Sequence, residues 1–481
     1  MDFRPVLFTI GVLLVILALG MVIPSTVDVI VGSPDWKVFA LSSAITMLFG
    51  ALLALTNRGG ETRLSLRQAF LLTALIWIVL TFFASLPFDF ANLDLSFTDA
   101  YFEAMSGITT TGSTVIVGLD RLPPGLLLWR AILQWLGGLG IIVMALSILP
   151  MLRVGGMQMF RVEAFETEGK MLANAAHISA AISGIMIIFT VVLALALWFA
   201  GLSPLEAIVH AMTTIATGGF STSDASVGNF DSPLVEGIIT AGMVAGGIPF
   251  ILYLRMVRGD AASLMKDDQV RWYLTILLVV TLVVAVWLSA RGGFGLLTAL
   301  RYASFNVVSV MTGTGYASAD YNLWGTFPAG VFFFLMFVGG CYGSTACGIK
   351  IFRFQILFAA TVAHIRRLTY PHGVFTPRFQ GRALSDEVIA SVLSYLMIFG
   401  ATFVVITLGL GLAGLDLVTA MSGAGTAMAN VGPGLGPIIG PAGNFETIPD
   451  LAKWFLIAGM LIGRLEVFTV IVLFSPAFWR S

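Results

Sequence analysis

The chain has 481 residues, of which 58% are hydrophobic and only 11% are charged, and its mean hydropathy is +0.96. Soluble domains carry about 25% charged residues, so this composition excludes a soluble protein and indicates an integral membrane protein. The formal net charge of −1 excludes a nucleic-acid binder, which needs a basic surface.

Ten apolar stretches of roughly 20 residues are predicted to span the membrane. They cover residues 6–23, 39–56, 69–87, 131–149, 178–202, 237–254, 272–290, 327–349, 388–414 and 451–475. Four shorter runs cannot cross the bilayer and are predicted to be re-entrant half-helices. They cover residues 96–107, 204–214, 298–310 and 417–428. The first span is interpreted as a membrane helix rather than a signal peptide, because Asp2 and Arg4 make a poor basic n-region.

A short polar stretch, which we name a glycine segment, follows each half-helix. The four segments are residues 108–113 (Ile-Thr-Thr-Thr-Gly-Ser), 215–220 (Ile-Ala-Thr-Gly-Gly-Phe), 311–316 (Met-Thr-Gly-Thr-Gly-Tyr) and 429–434 (Ala-Asn-Val-Gly-Pro-Gly). Backbone leaves the helical conformation at membrane depth only where protein buries it or where it lines a water-filled path. One segment alone could equally be a helix kink or a packing site. Four at near-regular spacing predict one pore built from four repeats.

The basic residues are distributed unevenly over the loops. With a cytoplasmic N-terminus, 16 of the 25 Lys and Arg residues fall in loops that face the cytoplasm, as the positive-inside rule requires. These loops are residues 57–68, 150–177, 255–271 and 350–387. Both termini are therefore predicted to be cytoplasmic.

The chain is predicted to be an all-α polytopic membrane protein with four parallel repeats around a central pore, as in a potassium channel. Residues 1–67 form a two-helix extension, and each repeat consists of a span, a half-helix, a glycine segment and a second span. The repeats cover residues 68–155, 170–258, 268–367 and 385–481.

The chemistry of such a pore favours a monovalent cation. Moving a dehydrated ion into a low-dielectric medium costs on the order of 20 kcal/mol, and rings of backbone carbonyls can replace its water shell. Glycine reaches the positive φ values that aim successive carbonyls at an axis. The negative C-terminal ends of the half-helices also attract cations.

Three further motifs support a resemblance to a known family. They are residues 129–141 (Trp-Arg-Ala-Ile-Leu-Gln-Trp-Leu-Gly-Gly-Leu-Gly-Ile), 339–350 (Gly-Gly-Cys-Tyr-Gly-Ser-Thr-Ala-Cys-Gly-Ile-Lys) and 463–466 (Gly-Arg-Leu-Glu). With the glycine segments, they make the whole chain resemble the Trk/Ktr/HKT potassium-transporter superfamily. The two additional N-terminal spans resemble the membrane subunit of the TrkH/TrkG type.

The resemblance implies a potassium filter formed by Thr111-Gly112, Thr217-Gly218, Thr314-Gly315 and Val431-Gly432, with Thr110 and Gly219 beside them. Ser113, Tyr316 and Pro433 would shape it. In the third repeat, Thr312-Gly313 is a competing alignment. Glycine at position 112 favours potassium, because serine there accompanies sodium transport in the plant branch of the family.

The stretch 339–348 carries four glycines, each of which costs a helix roughly 1 kcal/mol. A straight helix is therefore not expected, and the resemblance implies an intramembrane gating loop beneath the filter. Tight helix packing through small residues is the alternative. The predicted gate residues are Gly339, Gly340, Cys341, Tyr342, Gly343, Ser344, Thr345, Lys350 and Arg464.

Arg464 lies in the middle of the last predicted span, and a charged residue at membrane depth predicts a functional role. It either forms a positive barrier in the cation path or makes an ion pair with another helix. Glu466 is a poor partner, because residues two apart in a helix do not face each other.

The predicted function is potassium uptake across the bacterial inner membrane through a gated, channel-like pore. The alternatives are an ion-coupled secondary transporter (K⁺/H⁺ or K⁺/Na⁺ symport, or a Na⁺-permeable variant) and an intramembrane enzyme, for which no paired catalytic residues are visible. The resemblance implies a homodimer and a cytoplasmic nucleotide-binding regulatory subunit of the TrkA type. It also implies that K⁺ is the transported ion and that this chain itself has no nucleotide site. The basic stretch 364–383 is either a docking surface for that subunit or a simple positive-inside loop.

Overall fold

The structure, a computed structural model, describes residues 2–59, 65–147, 155–157 and 171–480. Four basic residues used to predict the orientation, Arg63, Arg153, Arg161 and Lys170, lie outside these ranges. The described chain is mainly α-helical, with a single two-stranded hairpin of β1 (Arg378–Phe379) and β2 (Arg382–Ala383).

The helices are α1 (Arg4–Val31), α2 (Trp36–Thr56), α3 (Leu66–Phe90), α4 (Phe97–Ile108), α5 (Pro124–Ser147), α6 (Met171–Phe199), α7 (Pro204–Ile215), α8 (Pro233–Gly246), α9 (Phe250–Val257), α10 (Ala262–Lys266), α11 (Asp268–Arg291), α12 (Leu296–Thr312), α13 (Thr326–Leu335), α14 (Ile351–Thr369), α15 (Asp386–Leu412), α16 (Leu417–Ala429), α17 (Asp450–Arg464), α18 (Val467–Ile471) and α19 (Pro476–Arg480). Short 3₁₀ turns lie at Leu119–Arg121, Ser226–Phe230, Tyr321–Trp324 and Val472–Phe474.

Within the described ranges, seven unbroken helices are long and apolar enough to cross a membrane. They are α1, α2, α3, α5, α6, α11 and α15. The protein is therefore a multi-pass membrane protein with the predicted all-α architecture of two N-terminal helices followed by four helix–pore-loop–helix repeats.

Three predicted spans are not continuous helices. Two of these breaks correct the sequence prediction, whereas the break in 327–349 was expected from its glycines. The span 237–254 is bent by 93° between α8 and α9, and the span 451–475 is bent by 111° after α17. In 327–349, only the first part is α-helical (Thr326–Leu335). The first bend follows from the sequence Gly246-Gly247-Ile248-Pro249, because proline has no backbone N–H to continue the helix. The second follows from Glu466, whose φ of +62° lies outside the helical region.

The four predicted half-helices are present as α4, α7, α12 and α16. Three begin with a side chain that accepts hydrogen bonds from the first turn, namely Ser96, Ser203 and Asp416. Asp99 and Glu206 complete reciprocal capping boxes with the two serines. The third half-helix has 17 residues and is longer than predicted. These caps satisfy the entry ends of three half-helices, whereas the half-helix of repeat 3 begins after Gly295 without a side-chain cap. The other end of each half-helix points into its glycine segment.

Candidate functional site

The four half-helices end in the same backbone turn. The turn residue adopts a left-handed φ in each repeat: Thr110 (+53°), Thr217 (+49°), Gly313 (+72°) and Asn430 (+50°). The amide of the next residue donates to the carbonyl five positions earlier, with N···O distances of 2.8 to 3.0 Å. The donors are Thr111, Gly218, Thr314 and Val431. This pattern is the Schellman motif, and it fixes the structural equivalence of the four segments.

Two residues beyond the turn residue, every repeat has a glycine with positive φ. These glycines are Gly112 (+86°), Gly219 (+80°), Gly315 (+79°) and Gly432 (+111°). The sequence prediction that equated Thr217-Gly218 with Thr111-Gly112 is therefore wrong by one residue, because Gly218-Gly219 occupies that position. In repeat 3, the equivalent pair is Thr314-Gly315. The Thr-Gly pair is not a reliable marker of equivalent positions, because the backbone turn determines which residues of the four segments correspond.

The four glycines form a closed ring, in which each one lies against a backbone carbonyl of the next repeat. A Cβ atom on Gly112 would overlap the carbonyl oxygen of Gly218. The same holds for Gly219 against Thr314 and for Gly315 against Val431, and a Cβ on Gly432 would lie 2.9 Å from the oxygen of Thr111. The hydroxyl of Ser113 also donates to the carbonyl of Gly432 over 2.8 Å, which joins repeat 1 to repeat 4. We name the carbonyls of Thr111, Gly218, Thr314 and Val431 the carbonyl ring.

A cavity of about 160 Å³ opens on the side of the ring toward which the four glycine segments continue. All four ring glycines line it, together with Pro433 and the segment around Asp224. Polar backbone and side-chain groups contribute to its wall, so the cavity can hold a hydrated ion next to the ring. The ring is therefore accessible from this side.

The stretch 339–349 lies on the opposite side of the ring, where the half-helices end. The Sγ atom of Cys347 is 3.6 Å from the hydroxyl of Thr110, and a Cβ on Gly313 would lie 3.3 Å from the Cβ of Cys347. A parallel bridge between Val338 and Ile349 closes the stretch into a loop. The loop is thus placed directly beneath the turn that precedes the ring.

The loop and the broken helix of repeat 2 satisfy each other's backbone groups. The amides of Cys341 and Thr345 donate to the carbonyls of Gly247 (3.0 Å) and Gly246 (3.2 Å). In return, the amide of Phe250 donates to the carbonyl of Gly343 over 2.9 Å. Irregular backbone inside a membrane needs such internal partners. The break in each span is therefore compensated by hydrogen bonds to the other, which explains why the prediction of a continuous helix over 237–254 was incomplete.

Side chains of the loop are also anchored. The Thr345 hydroxyl donates to the carbonyls of Ile215 and Gly246, each over 2.9 Å, and the Ser344 hydroxyl donates to that of Cys341 over 2.6 Å. The hydroxyl of Tyr342 donates to the carbonyl of Ala145. Gly339 is required by close packing, since a Cβ there would overlap the carbonyl of Cys347.

Arg464 is buried beneath the ring, with 4% of its surface exposed. Its Nη1 lies 2.6 Å from the Sγ of Cys347, and its Nη2 donates to the carbonyl of Gly137 over 3.2 Å. Among the residues that the structure describes, no carboxylate forms an ion pair with Arg464. Its positive charge therefore faces the loop and the ring without a neutralising carboxylate.

Glu466 pairs instead with Arg353, at 2.7 Å. The Arg353 guanidinium lies 3.6 Å from the ring centroid of Tyr395, and its Nε donates to the carbonyl of Gly155 over 3.1 Å. The ion pair connects the bend after α17 with the helix that follows the loop. The ammonium of Lys350 donates to the carbonyl of Ala346 inside the same loop.

A small cavity of about 30 Å³ remains between the loop and Arg464, with room for only a few water molecules. Cys347, Lys350, Asn430 and Glu466 line it together with Arg464. The space next to the carbonyl ring is thus wide on one side and narrow on the other. A ring of carbonyls above a narrow, positively charged passage can coordinate a dehydrated cation and control its release.

Comparison with known proteins shows to which family this architecture belongs. The family model "TrkH: Cation transport protein" matches residues 36–481. The chain belongs to the TrkH family. It is 46% identical to the Trk system potassium uptake protein TrkI of Halomonas elongata, over 99% of this chain and 97% of that protein. It is 37% identical to the TrkH protein of Salmonella typhimurium over the full length of both.

The structure of this TrkH-family chain is similar to the crystal structure of the potassium transporter TrkH from Vibrio parahaemolyticus. The TM-score is 0.93 at 35% sequence identity, and the match covers 100% of both chains. The four-repeat fold predicted from the sequence is therefore confirmed.

Several residues of the TrkH-family site escaped the sequence reasoning. Gly246 and Gly247 hold the loop, and the sequence Gly-Gly-Ile-Pro within an apolar span was the signal that could have found them. Arg353 and Glu466 form a buried ion pair that no sequence spacing indicates, because 113 positions separate them. Gln134 contacts the ring itself through the carbonyl of Gly218.

Proposed function

We propose that this chain takes up potassium across the cytoplasmic membrane through the carbonyl ring. The observation that carries the proposal is the closed circuit in which four glycines each lie against a carbonyl of the next repeat. Four equivalent backbone oxygens can replace the hydration shell of one K⁺ ion. The names of the full-length relatives, which are potassium uptake proteins, support the same substrate.

The proposed filter residues are those whose backbone forms or borders the ring: Thr110, Thr111, Gly112, Thr217, Gly218, Gly219, Thr314, Gly315, Val431 and Gly432. The ranges 68–155, 170–258, 268–367 and 385–481 serve as the proposed limits of the four repeats. The chain would act as a pore and not as an enzyme.

The loop 339–348, Lys350 and Arg464 form the proposed gate. The loop lies beneath the ring, and its contacts with Gly246 and Gly247 tie its position to the bend between α8 and α9. A movement of that bend would withdraw the loop from the path. The Arg464 charge adds an electrostatic barrier at the same depth.

The proposed orientation places both termini in the cytoplasm of a bacterium and the protein in its inner membrane. The exposed residues Arg366, Arg367, Arg378 and Arg382 then form a basic cytoplasmic surface. We propose this surface as the docking site for a TrkA-type regulatory subunit, which would bring nucleotide control, and a homodimer as the assembly. The relatives' designation as parts of a "Trk system" supports a multi-component transporter.

Ion-coupled symport is the second candidate, because the loop leaves only a small cavity on one side of the ring, as alternating access would require. A proton or sodium gradient applied to proteoliposomes would drive K⁺ uptake in this case. Passive pore transport would respond only to the K⁺ gradient and the membrane potential.

Cation flux into proteoliposomes containing the purified chain tests the proposal, with K⁺, Rb⁺, Na⁺ and Li⁺ compared in turn. K⁺ and Rb⁺ flux above Na⁺ flux is expected, and Gly112→Ser should weaken this selectivity. Flux that does not distinguish the four ions would refute the filter assignment. The absence of flux, even after a TrkA-type subunit is added, would refute the pore.

A further inference from the structure

The four positions of the carbonyl ring are not supported in the same way. Three are occupied by Thr111, Thr314 and Val431, whereas repeat 2 has Gly218. Gly218 is not among the residues with positive φ, so the backbone conformation does not require glycine there. Space does: a Cβ on Gly218 would overlap the side-chain amide of Gln134. The unusual Thr-Gly-Gly sequence of repeat 2 is therefore explained by the approach of Gln134.

Gln134 lies on α5, outside all four glycine segments, and is completely buried. Its Nε2 donates to the carbonyl of Gly218 over 2.5 Å, and its Oε1 accepts from the amide of Phe220 over 3.0 Å. The second bond fixes which end of the amide faces the ring, because a backbone N–H needs an oxygen acceptor. Among the described residues, the carbonyls of Thr111, Thr314 and Val431 accept no hydrogen bond.

Arg130 holds the same segment from one helical turn away. Its Nη1 donates to the carbonyl of Ser221 over 2.8 Å, and its guanidinium lies 4.0 Å from the ring centroid of Phe220. Glu103 neutralises the charge in a buried ion pair of 2.8 Å. The backbone of residues 218–221 is thus hydrogen-bonded to α5 at three groups, namely the carbonyls of Gly218 and Ser221 and the amide of Phe220.

This support is present in repeat 1 and absent at the equivalent positions of repeats 2 and 4. Gly137, Gly246 and Gly463 are equivalent, because a Cβ on each would meet the carbonyl of the residue four positions before the ring glycine. Three positions before these glycines, the residues are Gln134, Met243 and Met460. Seven positions before, they are Arg130, Ile239 and Leu456. Repeat 1 therefore has the polar residues Gln134 and Arg130 where repeats 2 and 4 have apolar residues. The surroundings of the ring are thus chemically asymmetric.

We propose that Gln134 is a positioning residue that determines the potassium-to-sodium selectivity of the ring. The inference rests on the proposed function. Selectivity of a carbonyl ring depends on its dimensions and on the field strength of its dipoles. A hydrogen bond from Gln134 fixes the position of the Gly218 carbonyl. The ring is then less free to contract around a smaller ion such as Na⁺. Selectivity is thus set partly by a side chain that does not touch the ion.

The test compares Gln134→Met with Met460→Leu in proteoliposomes. The first variant places in repeat 1 the residue that repeats 2 and 4 have, and the second changes the equivalent core position without removing a polar contact. Gln134→Leu is a second apolar variant in case Gln134→Met is not recovered as folded protein. Size-exclusion elution and the melting temperature verify folding, and K⁺ and Na⁺ fluxes are measured separately.

The expected result is a fall in the K⁺:Na⁺ flux ratio of about fivefold in the Gln134 variant, which corresponds to about 1 kcal/mol, the usual net value of one hydrogen bond. The fall should come from a higher Na⁺ flux, and Met460→Leu should keep the wild-type ratio. An unchanged ratio, or an equal loss of both fluxes as from a purely structural defect, would overturn the inference. A wild type without selective K⁺ flux would instead overturn the proposed function on which it rests.

Discussion

The carbonyl ring and the layer beneath it are built in opposite ways. In the ring, every repeat supplies the same Schellman turn and the same positive-φ glycine. Beneath it, repeat 1 supplies the straight helix α5, whereas the corresponding spans of the other three repeats are interrupted in three different ways. In the proposed pore, regularity is kept where the filter needs four equivalent ligands, and it is lost where the proposed gating loop enters from one side.

Gly315→Ala tests the ring and should have the largest effect. Alanine at a φ of +79° costs about 1–2 kcal/mol, and its Cβ would also overlap the carbonyl of Val431. We expect K⁺ uptake to fall at least about tenfold, since a cost of about 1.4 kcal/mol corresponds to a factor of ten. Gly330→Ala is the control, because a Cβ at this helical glycine meets nothing within 4 Å. Equal uptake by both variants would contradict the ring geometry.

Glu466→Gln tests the layer beneath the ring through its stability. The change leaves the buried Arg353 charge without its carboxylate partner, and loss of one partner of a buried pair costs about 3–5 kcal/mol. We expect a clear fall in the free energy of unfolding, measured by denaturation in detergent. Asp268→Asn removes an exposed pair with Arg271 and should cost no more than about 1 kcal/mol. Similar losses in the two variants would contradict this difference.

Arg464→Ala separates the two regions by function. Removal of the positive charge lowers the barrier beneath the ring, so basal K⁺ uptake should rise several-fold while the K⁺:Na⁺ ratio stays unchanged. Arg464→Lys retains the charge and should keep the low basal uptake. The measurement is ion flux in proteoliposomes without a regulatory subunit. A changed selectivity ratio in the alanine variant would show that the two regions are not independent.

Asp416→Ala should have the smallest effect, because it acts on one half-helix from the end remote from the ring. Asp416 accepts from the amides of Val418 and Thr419, and loss of such an N-cap costs about 1 kcal/mol. Melting temperatures should fall slightly, with K⁺ selectivity unchanged. Glu446→Ala, at an exposed residue whose side chain caps no described helix, is the control.

The same cap predicts a pH dependence. The contacts of the Asp416 carboxylate at the start of α16, chiefly with Thr419, lower the pKa of Asp416 below its ordinary value. The cap therefore contributes stability above the ordinary carboxyl pKa, and this contribution is lost as the pH falls through the lowered value. The melting temperature of Asp416→Ala should consequently approach that of the wild type in acid. A constant difference at all pH values would contradict the assignment.

Local signals in the sequence were sufficient for the half-helices. Ser96 with Asp99, and Ser203 with Glu206, stand at the starts of α4 and α7, and the structure has both helices within a residue or two of the predicted limits. Such local signals could not show which residues of the glycine segment in repeat 2 correspond to those in repeat 1. Thr217-Gly218 reads like Thr111-Gly112, and only the backbone turn at Thr217 distinguishes them.

The sequence by itself determined the membrane environment, the four repeats and the depth of the glycine segments. These properties follow from hydrophobicity, segment length and glycine content, which are local quantities. The tertiary structure decided why Gly218 is glycine, how the broken spans at Gly246 and in the loop satisfy their backbone groups, and what faces Arg464. In each case the reason is a contact between residues far apart in the chain: a side chain that fills the space of a Cβ, two irregular backbones that satisfy each other's hydrogen bonds, and a buried charge whose neighbour is Cys347.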